Sequence, residues 1–245
     1  MLETFRRWAG NVPDEPDWRP VQAWAEQRGL QFKRTRDRLG FVVDAVAQGG
    51  AWRLEWGPPQ RSYLQGHELR LRAELGLPAE LQMLLMSRAL MESLERQTFE
   101  RYTEQLQTQI DTSTPEEMRW LAMLPKVTLS APREFRQRFG AVALIPRAAA
   151  GWIDGALAEC LWRASLGPLA GDLPLVLMTL RGRVYLRLQL ATPQVEPMES
   201  AVGVFECAVA QAARIGASLG DGPDAWPSTA TTAWQTQLQP EPPRD

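Results

Sequence analysis

The chain is short of the residue types that most often carry catalysis or bind metal ions. Its 245 residues include one histidine, His67, and two cysteines, Cys160 and Cys207. One histidine without a nearby cysteine cannot form a zinc site of the usual kind, and a histidine at the start of a strand does not fit a Ser-His-Asp triad. Both cysteines fall in apolar helical patterns, where a thiol behaves as a small hydrophobic residue. We therefore predict no metal site and two cysteines that are reduced and buried.

Glycine-rich loops that bind phosphate are missing as well. The pair Gly49-Gly50 and the glycines Gly220 and Gly222 are isolated, and none of them belongs to a phosphate-binding or dinucleotide-binding pattern. Cofactors are therefore not predicted. Paired carboxylates that act in hydrolysis come together only in three dimensions and leave little trace in a sequence. A small-molecule enzyme that uses carboxylate and arginine side chains therefore stays open as an alternative function.

Long apolar runs and a strong net charge are also absent. The runs Leu81–Met86 and Leu173–Leu180 are far shorter than the roughly 20 residues of a spanning helix, and the opening MLETFRRWAG lacks the apolar region of a secretory signal. We therefore predict no transmembrane segment and a cytoplasmic location. The net charge of −2 gives no strong positive field for nucleic acid. We interpret the basic run at residues 33–38 as a solvated turn, so nucleic-acid binding is not expected.

A period of two residues dominates the first third of the chain. From Gln31 the segments QFKRT, FVVDAVAQ, AWRLEW and HELRLRAEL alternate apolar and polar residues, and glycine-containing turns separate the first three. This pattern predicts a four-strand antiparallel meander. On one face of the sheet, the third strand should carry Trp52, Leu54 and Trp56. On the same face, the fourth strand should carry Leu69, Leu71, Ala73 and Leu75. The other face should carry a mixture of charges: Arg53, Glu55, Arg70, Arg72 and Glu74.

A second hairpin is predicted in LPLVLMTLRGRVYLRLQL, with its turn at Arg181-Gly182. Helices are predicted for residues 20–28, 133–140, 146–164 and 197–219, and a buried strand for residues 141–145. Residues 79–109 are predicted to form one long helix or two consecutive ones. A further helix should run from Thr114, as N-cap, to about Met123, with Glu117 placed to close a capping box. The run Trp120–Leu124 alone fits a buried strand equally well.

These elements define an α+β fold in which antiparallel strands, a four-strand meander and a C-terminal hairpin, pack against amphipathic helices. We divide the chain into an N-terminal helical segment (1–30), the meander with a long helix (31–110), a unit of helices and hairpin (115–219) and a flexible tail (220–245). A single sheet that uses both hairpins is nearly as consistent with the pattern. The oligomeric state is not indicated by the sequence.

The loop GPPQRSYLQG between the third and fourth strands is the candidate binding site. Ten residues join strands that two to five residues would connect, and long connections with exposed polar and aromatic side chains often carry binding function. We therefore predict a ligand or partner site at Arg61, Tyr63, Gln65 and His67, and a loop whose side chains do not contribute to the core. The function this favours is a non-catalytic binding or adaptor module with a protein partner. Trp226 and Trp234 in the tail are a second candidate docking segment.

Overall fold

One eight-stranded sheet runs through the part of the chain that the computed structural model describes, which is residues 17–45, 51–104 and 114–220. The strands are β1 (Gln31–Arg34), β2 (Phe41–Ala45), β3 (Trp52–Gly57), β4 (Glu68–Glu74), β5 (Met83–Ser87), β6 (Phe139–Ala143), β7 (Leu175–Leu180) and β8 (Arg183–Gln189). The helices are α1 (Arg19–Gln27), α2 (Arg88–Glu104), α3 (Glu116–Met123), α4 (Arg133–Arg138), α5 (Pro146–Ile153), α6 (Ala156–Leu166) and α7 (Val195–Gly220). The sheet order is β1-β2-β3-β4-β8-β7-β5-β6, and all neighbours are antiparallel. The predicted α+β class is confirmed.

The predicted meander is present, and its two faces divide as the alternation requires. Leu54 pairs with Leu71 and Trp56 with Leu69, and these four side chains are buried on one face. Trp52 lies at the end of the same row and is only half-buried. The last residues of the second predicted strand, and the turn after it, lie outside the described residues.

The C-terminal hairpin joins the meander edge to edge. Its turn residues Arg181 and Gly182 both have positive φ values, 51° and 78°, as a tight two-residue hairpin turn requires. Strand β8 then pairs along its whole length with β4, from Glu68 opposite Gln189 to Glu74 opposite Arg183. Both hairpins therefore belong to one sheet, the arrangement that the sequence left open beside a division into two units.

The prediction of helix over residues 79–109, as one long helix or two consecutive ones, is wrong in its first part. Met83–Ser87 forms strand β5, which lies between β6 and β7, and α2 begins only at Arg88. All five residues of β5 are buried. A strand that is covered on both faces has no alternation, and leucine and methionine are good helix formers, so the segment resembled the start of the helix. Residues 105–109 lie outside the described part.

Two further predictions about helices need correction. The helix predicted from Pro146 to Ala164 is broken into α5 and α6, because Gly155 between them has a φ of +89° and the chain turns there. Helix α3 has Pro115 at its N-cap, without a side-chain cap, so Thr114 and Glu117 do not form the predicted capping box. The helical interpretation of Trp120–Leu124 holds as far as Met123. Helices α1, α4 and α7 lie close to their predicted bounds.

The helices cover the two faces of the sheet unequally. On the first face, which we call the helical face, α1, α5, α6 and α7 pack on inward-pointing side chains from all eight strands. On the second face, α2 and α3 enclose a smaller core over β5, β6 and β7, built on Leu84, Met86, Val142, Val176 and Met178. The second face of β1 to β4 and β8 carries the charged residues instead.

Helix α7 is the one described helix whose length and composition would suffice to cross a membrane, over Val195–Leu219. The predicted absence of such a segment rested on the length of unbroken apolar runs, whereas here alanine and valine, interspersed with polar residues, raise the average hydropathy. In the fold α7 buries Met198, Val202 and Phe205 against the helical face, while Glu206 and Arg214 are exposed. This one-sided burial is the packing of an amphipathic core helix.

The two cysteines meet where α6 packs on α7. Both are free thiols, but each is half-buried, so the prediction of full burial is wrong. Burial, and then a hydrogen bond with Cys160, raise the pKa of Cys207 to about 12. The Cys207 thiol therefore stays protonated at neutral pH.

Trp56 should be the most costly aromatic residue of the meander to remove. Its ring is 1% exposed, stacks on His67 at 4.2 Å, and donates its indole N–H to the Leu190 carbonyl at 2.8 Å. Trp56→Ala should lower the free energy of unfolding by about 3 to 5 kcal/mol, as measured by urea denaturation. Trp52→Ala, from the half-exposed end of the same row, should cost clearly less. Equal costs for the two variants would contradict the assigned core.

Cys207 should react slowly with thiol reagents. In a Cys160→Ser variant at pH 8, which keeps a hydrogen-bonding side chain beside Cys207, we expect labelling of Cys207 in the native protein to be at least about a hundredfold slower than in urea, because only the thiolate reacts. Stopped-flow absorbance with a disulfide reagent measures both rates. Labelling within tenfold of the denatured rate would show that the Cys207 thiol is neither buried nor held protonated.

Candidate functional site

The second face of β1 to β4 and β8 forms a surface that we call the charged half. Several of its side chains are substantially exposed, including Arg53 at 40%, Arg183 at 42% and Lys33 at 63%, whereas Arg187 on β8 lies against Glu117 of α3 and is 12% exposed. Basic residues outnumber acidic ones there: Lys33, Arg53, Arg70, Arg72, Arg183 and Arg187 against Asp44, Glu55, Glu68 and Glu74.

Most of these charges are paired in a ladder that crosses the strands. Arg53 donates to Glu55 at 2.8 Å and lies 3.6 Å from Asp44. Arg70 then donates to the other oxygen of Glu55 at 3.2 Å. Near-neighbour ion pairs on an exposed sheet are worth about 0.2 to 1 kcal/mol each, so this ladder needs no ligand to explain it.

Arg72 is the exception to this pairing. It is exposed and lies directly opposite Arg53 on β3 and Tyr185 on β8. It makes no ion pair or side-chain hydrogen bond with any residue in the described part of the chain. Like charges directly opposite each other on neighbouring strands are destabilising. Arg72 therefore places one positive charge without a described counter-ion at the middle of the charged half.

A buried ion network lies where the charged half meets the apolar core under α2 and α3. The carboxylates of Glu68 and Glu117 are both 0% exposed, and the guanidinium group of Arg187 lies between them, 2.5 Å from Glu68 and 3.7 Å from Glu117. Glu68 also accepts the backbone N–H of Gln60 at 2.7 Å. Buried carboxylates are tolerated only with several such donors, and this network supplies them.

Two of the predicted site residues complete this network. The Arg61 guanidinium donates to Glu117 at 3.1 Å, and the Tyr63 hydroxyl donates to the same carboxylate at 3.0 Å. Leu64 beside them is 3% exposed. The loop is therefore packed onto the sheet, which corrects the expectation that its side chains stay out of the core.

The other two predicted residues lie apart from the network. Gln65 has an exposed side chain, and its backbone N–H donates to the side chain of Gln189. His67 is half-buried, and its ring stacks on Trp56 on the helical face. The structure thus brings together Arg61 and Tyr63 but not Gln65 or His67. A ligand or partner at these four positions stays a prediction.

The other three members of the buried ion network, Glu117, Arg187 and Glu68, were not predicted as site residues. Glu117 looked like a capping residue, Arg187 like an ordinary exposed position of β8, and Glu68 like the polar start of β4. Glu117 and Tyr63 are 54 residues apart in the chain, and Glu68 and Arg187 are 119 apart. No local pattern indicates such contacts. The one available signal was the excess length of the loop.

Two cavities adjoin the charged half. The one among Arg53, Glu55, Arg70, Tyr185 and Arg187 has a volume of about 110 Å³. The other, which includes Asp44, Arg53, Arg72 and Arg183, has a volume of about 380 Å³, within the roughly 300 to 1,000 Å³ of ordinary small-molecule sites. The described residues contain no group of three histidine, cysteine or acidic side chains that could hold a metal ion.

Comparison with known proteins adds no functional assignment. No family model matches the chain, and neither a curated protein nor a solved structure matches it significantly.

Tyr63→Phe should destabilise the protein and change its response to alkaline pH. Loss of a hydrogen bond to the buried Glu117 carboxylate should cost about 1 to 3 kcal/mol at pH 7. Burial, and then the negative charge of Glu117, raise the pKa of Tyr63 above its ordinary value of 10.0. The unfolded chain therefore releases this proton first, so stability falls as pH rises above about 10.

The measurement for Tyr63 is urea denaturation of both proteins at pH 8 and pH 11. The stability gap between wild type and Tyr63→Phe should narrow at the higher pH, because phenylalanine has no proton to lose. A gap that is absent at pH 8, or that widens at pH 11, would contradict the placement of Tyr63.

Arg72→Glu should leave the free energy of unfolding unchanged or raise it by up to about 1 kcal/mol. The substitution replaces a like-charge pair with an opposite-charge pair across β3 and β4. Thermal and urea unfolding measure the change, and Arg72→Gln separates loss of the positive charge from gain of the negative one. A loss of more than 1 kcal/mol in both variants would show that Arg72 has a stabilising partner.

Proposed function

We propose that this protein is a non-catalytic cytoplasmic binding module whose charged half binds an acidic surface of a protein partner. The observation that carries the proposal is Arg72, which is exposed, lies opposite Arg53 and makes no ion pair with any described residue. A carboxylate from a partner between the two guanidinium groups would relieve their repulsion. Arginine suits this role because its planar fork binds carboxylates in a bidentate manner.

Neighbouring side chains support an extended contact rather than a single ion pair. Tyr185 is half-buried beside Arg72, and tyrosine and arginine are both enriched where binding energy concentrates in protein interfaces. Arg72 and Tyr185 lie opposite each other on neighbouring strands, so one partner surface can contact both.

An enzyme that uses carboxylate and arginine side chains has less support. Such an enzyme needs a carboxylate that is free to exchange a proton or attack a substrate. On this face the two buried carboxylates, Glu68 and Glu117, are each surrounded by donors. The more exposed carboxylates are engaged as well, because Asp44 and Glu55 pair with Arg53 and Glu74 pairs with Arg183.

Charge reversal tests the proposal. The full-length protein carrying Arg53→Glu with Arg72→Glu is compared with wild type in affinity capture from cell extract, followed by quantitative mass spectrometry. The matched control is Arg163→Glu, because Arg163 is also exposed but lies on α6, against the opposite face of the sheet. A genuine partner should be depleted at least tenfold by the double variant and retained by the control.

The captured partner is then measured directly by titration at two salt concentrations. We expect affinity to fall with added salt and with charge reversal, because screening weakens exposed charges. The double variant loses the ion pairs of Arg53 with Glu55 and Asp44, worth about 0.2 to 1 kcal/mol each, so urea denaturation checks that it stays folded under the binding conditions and that lost binding is not lost folding. A partner that binds wild type, double variant and control equally would refute the charged half as the binding surface.

A further inference from the structure

A separate cavity lies on the helical face, between the sheet and the end of α6. Its volume is about 290 Å³, which is close to the lower end of the range for small-molecule sites. The walls come from the start of α2, the end of α4, helix α6 and the loop at residues 167–173. Arg138 fastens that loop by donating to the Gly171 carbonyl at 2.8 Å.

The inner part of the cavity is apolar but contains two buried hydroxyl groups. Leu161, Leu175 and Leu188 line it and are at most 4% exposed. Ser87 is 7% exposed and its oxygen accepts the Leu175 N–H at 3.3 Å. The described residues provide no acceptor for the proton of the Ser87 hydroxyl. Ser165 is 4% exposed and donates to the Trp162 carbonyl.

Two arginines, Arg88 and Arg138, are among the lining residues. Arg88 is half-buried and one of its terminal nitrogens is fixed by the carbonyls of Arg136 and Phe139, at 2.7 and 3.0 Å. Arg138 is half-buried and uses one terminal nitrogen for the loop. Each guanidinium carries five N–H donors, so both retain donors for another acceptor.

We propose that this cavity binds a small monocarboxylate with an apolar body. The carboxylate would accept from Arg88 and from the hydroxyl of Ser87, and the apolar body would occupy the space against Leu161 and Leu188. Glu92 and Asp172 also line the cavity and are exposed. Their negative charges oppose a second anionic group, which selects a monoanion over a dicarboxylate or a phosphate ester.

This site is independent of the protein partner proposed above. The charged half lies on the second face of the sheet, whereas the cavity opens on the helical face, and the two share no lining residue. Failure of one proposal therefore leaves the other intact.

Titration of the full-length protein with matched six-carbon probes tests the site. Hexanoate, hexan-1-ol, hexylamine and adipate are followed by isothermal calorimetry and by amide NMR shifts. We expect hexanoate to bind at least about tenfold more tightly than the other three, because one charge-assisted hydrogen bond is worth that factor.

Three variants locate the bound probe. Arg88→Gln should weaken hexanoate binding at least tenfold, and the control Arg163→Gln, on exposed α6 surface, should not change it. Ala164→Leu adds carbon atoms to the wall of the cavity and should abolish binding while circular dichroism stays native. Ala164→Leu leaves Arg88 in place, so it still tests whether hexanoate binds in this cavity if Arg88→Gln fails to fold.

The opposite results would overturn the proposal. Hexan-1-ol binding as tightly as hexanoate would show that no cation takes part. Hexanoate binding that survives Ala164→Leu would place the carboxylate elsewhere, and no binding of hexanoate at tens of millimolar would show that the cavity is not a site for this class of molecule.

Discussion

The pairing of β4 with β8 is the contact on which the rest of the structure depends. It joins the meander to the C-terminal hairpin through seven opposed residue pairs, from Glu68–Gln189 to Glu74–Arg183. On the helical face it aligns Leu71 with Leu186 and so continues one apolar layer across the sheet. On the second face it brings Arg187 beside Arg70 and Glu68. The register of β4 against β8 therefore sets both the apolar layer of the helical face and the arrangement of charges on the second face.

The second face changes from charged to apolar between β8 and β7. Arg187 on β8 is opposite Val176 on β7, and Tyr185 is opposite Met178. Helices α2 and α3 cover the apolar side, and the buried ion network lies at the boundary. Ion pairs that are fully removed from water lose much of their attraction to desolvation. We infer that the network chiefly fixes the positions of the loop and of α3, because removal of one member would leave a buried charge unpaired.

Local sequence patterns predicted the strands and helices that have one apolar face and one polar face. Alternation located β1 to β4 and β8, and the spacing of Trp152, Leu157 and Leu161 indicated a buried helical stripe. The same reasoning failed for Met83–Ser87, because a strand covered on both faces shows no alternation. It also failed for the break at Gly155, where glycine inside a helical pattern gave no decisive signal.

The candidate site was predicted only in outline. The excess length of the loop pointed to Arg61 and Tyr63, but their partner Glu117 is more than fifty residues away in the chain. Sequence alone placed Arg53 and Arg72 on one face. It could not show that Arg72 would stay unpaired, since this depends on the register of β4 between β3 and β8.

Covalent footprinting of arginine residues, in cells and in the purified protein, tests the central claim most directly. Phenylglyoxal modification followed by mass spectrometry reports the accessibility of Arg72, with exposed Arg163 as the internal reference. The account predicts that Arg72 reacts readily in the purified protein and is protected in cells, while Arg163 reacts equally in both. Equal modification of Arg72 in the two settings would contradict a bound partner on the charged half.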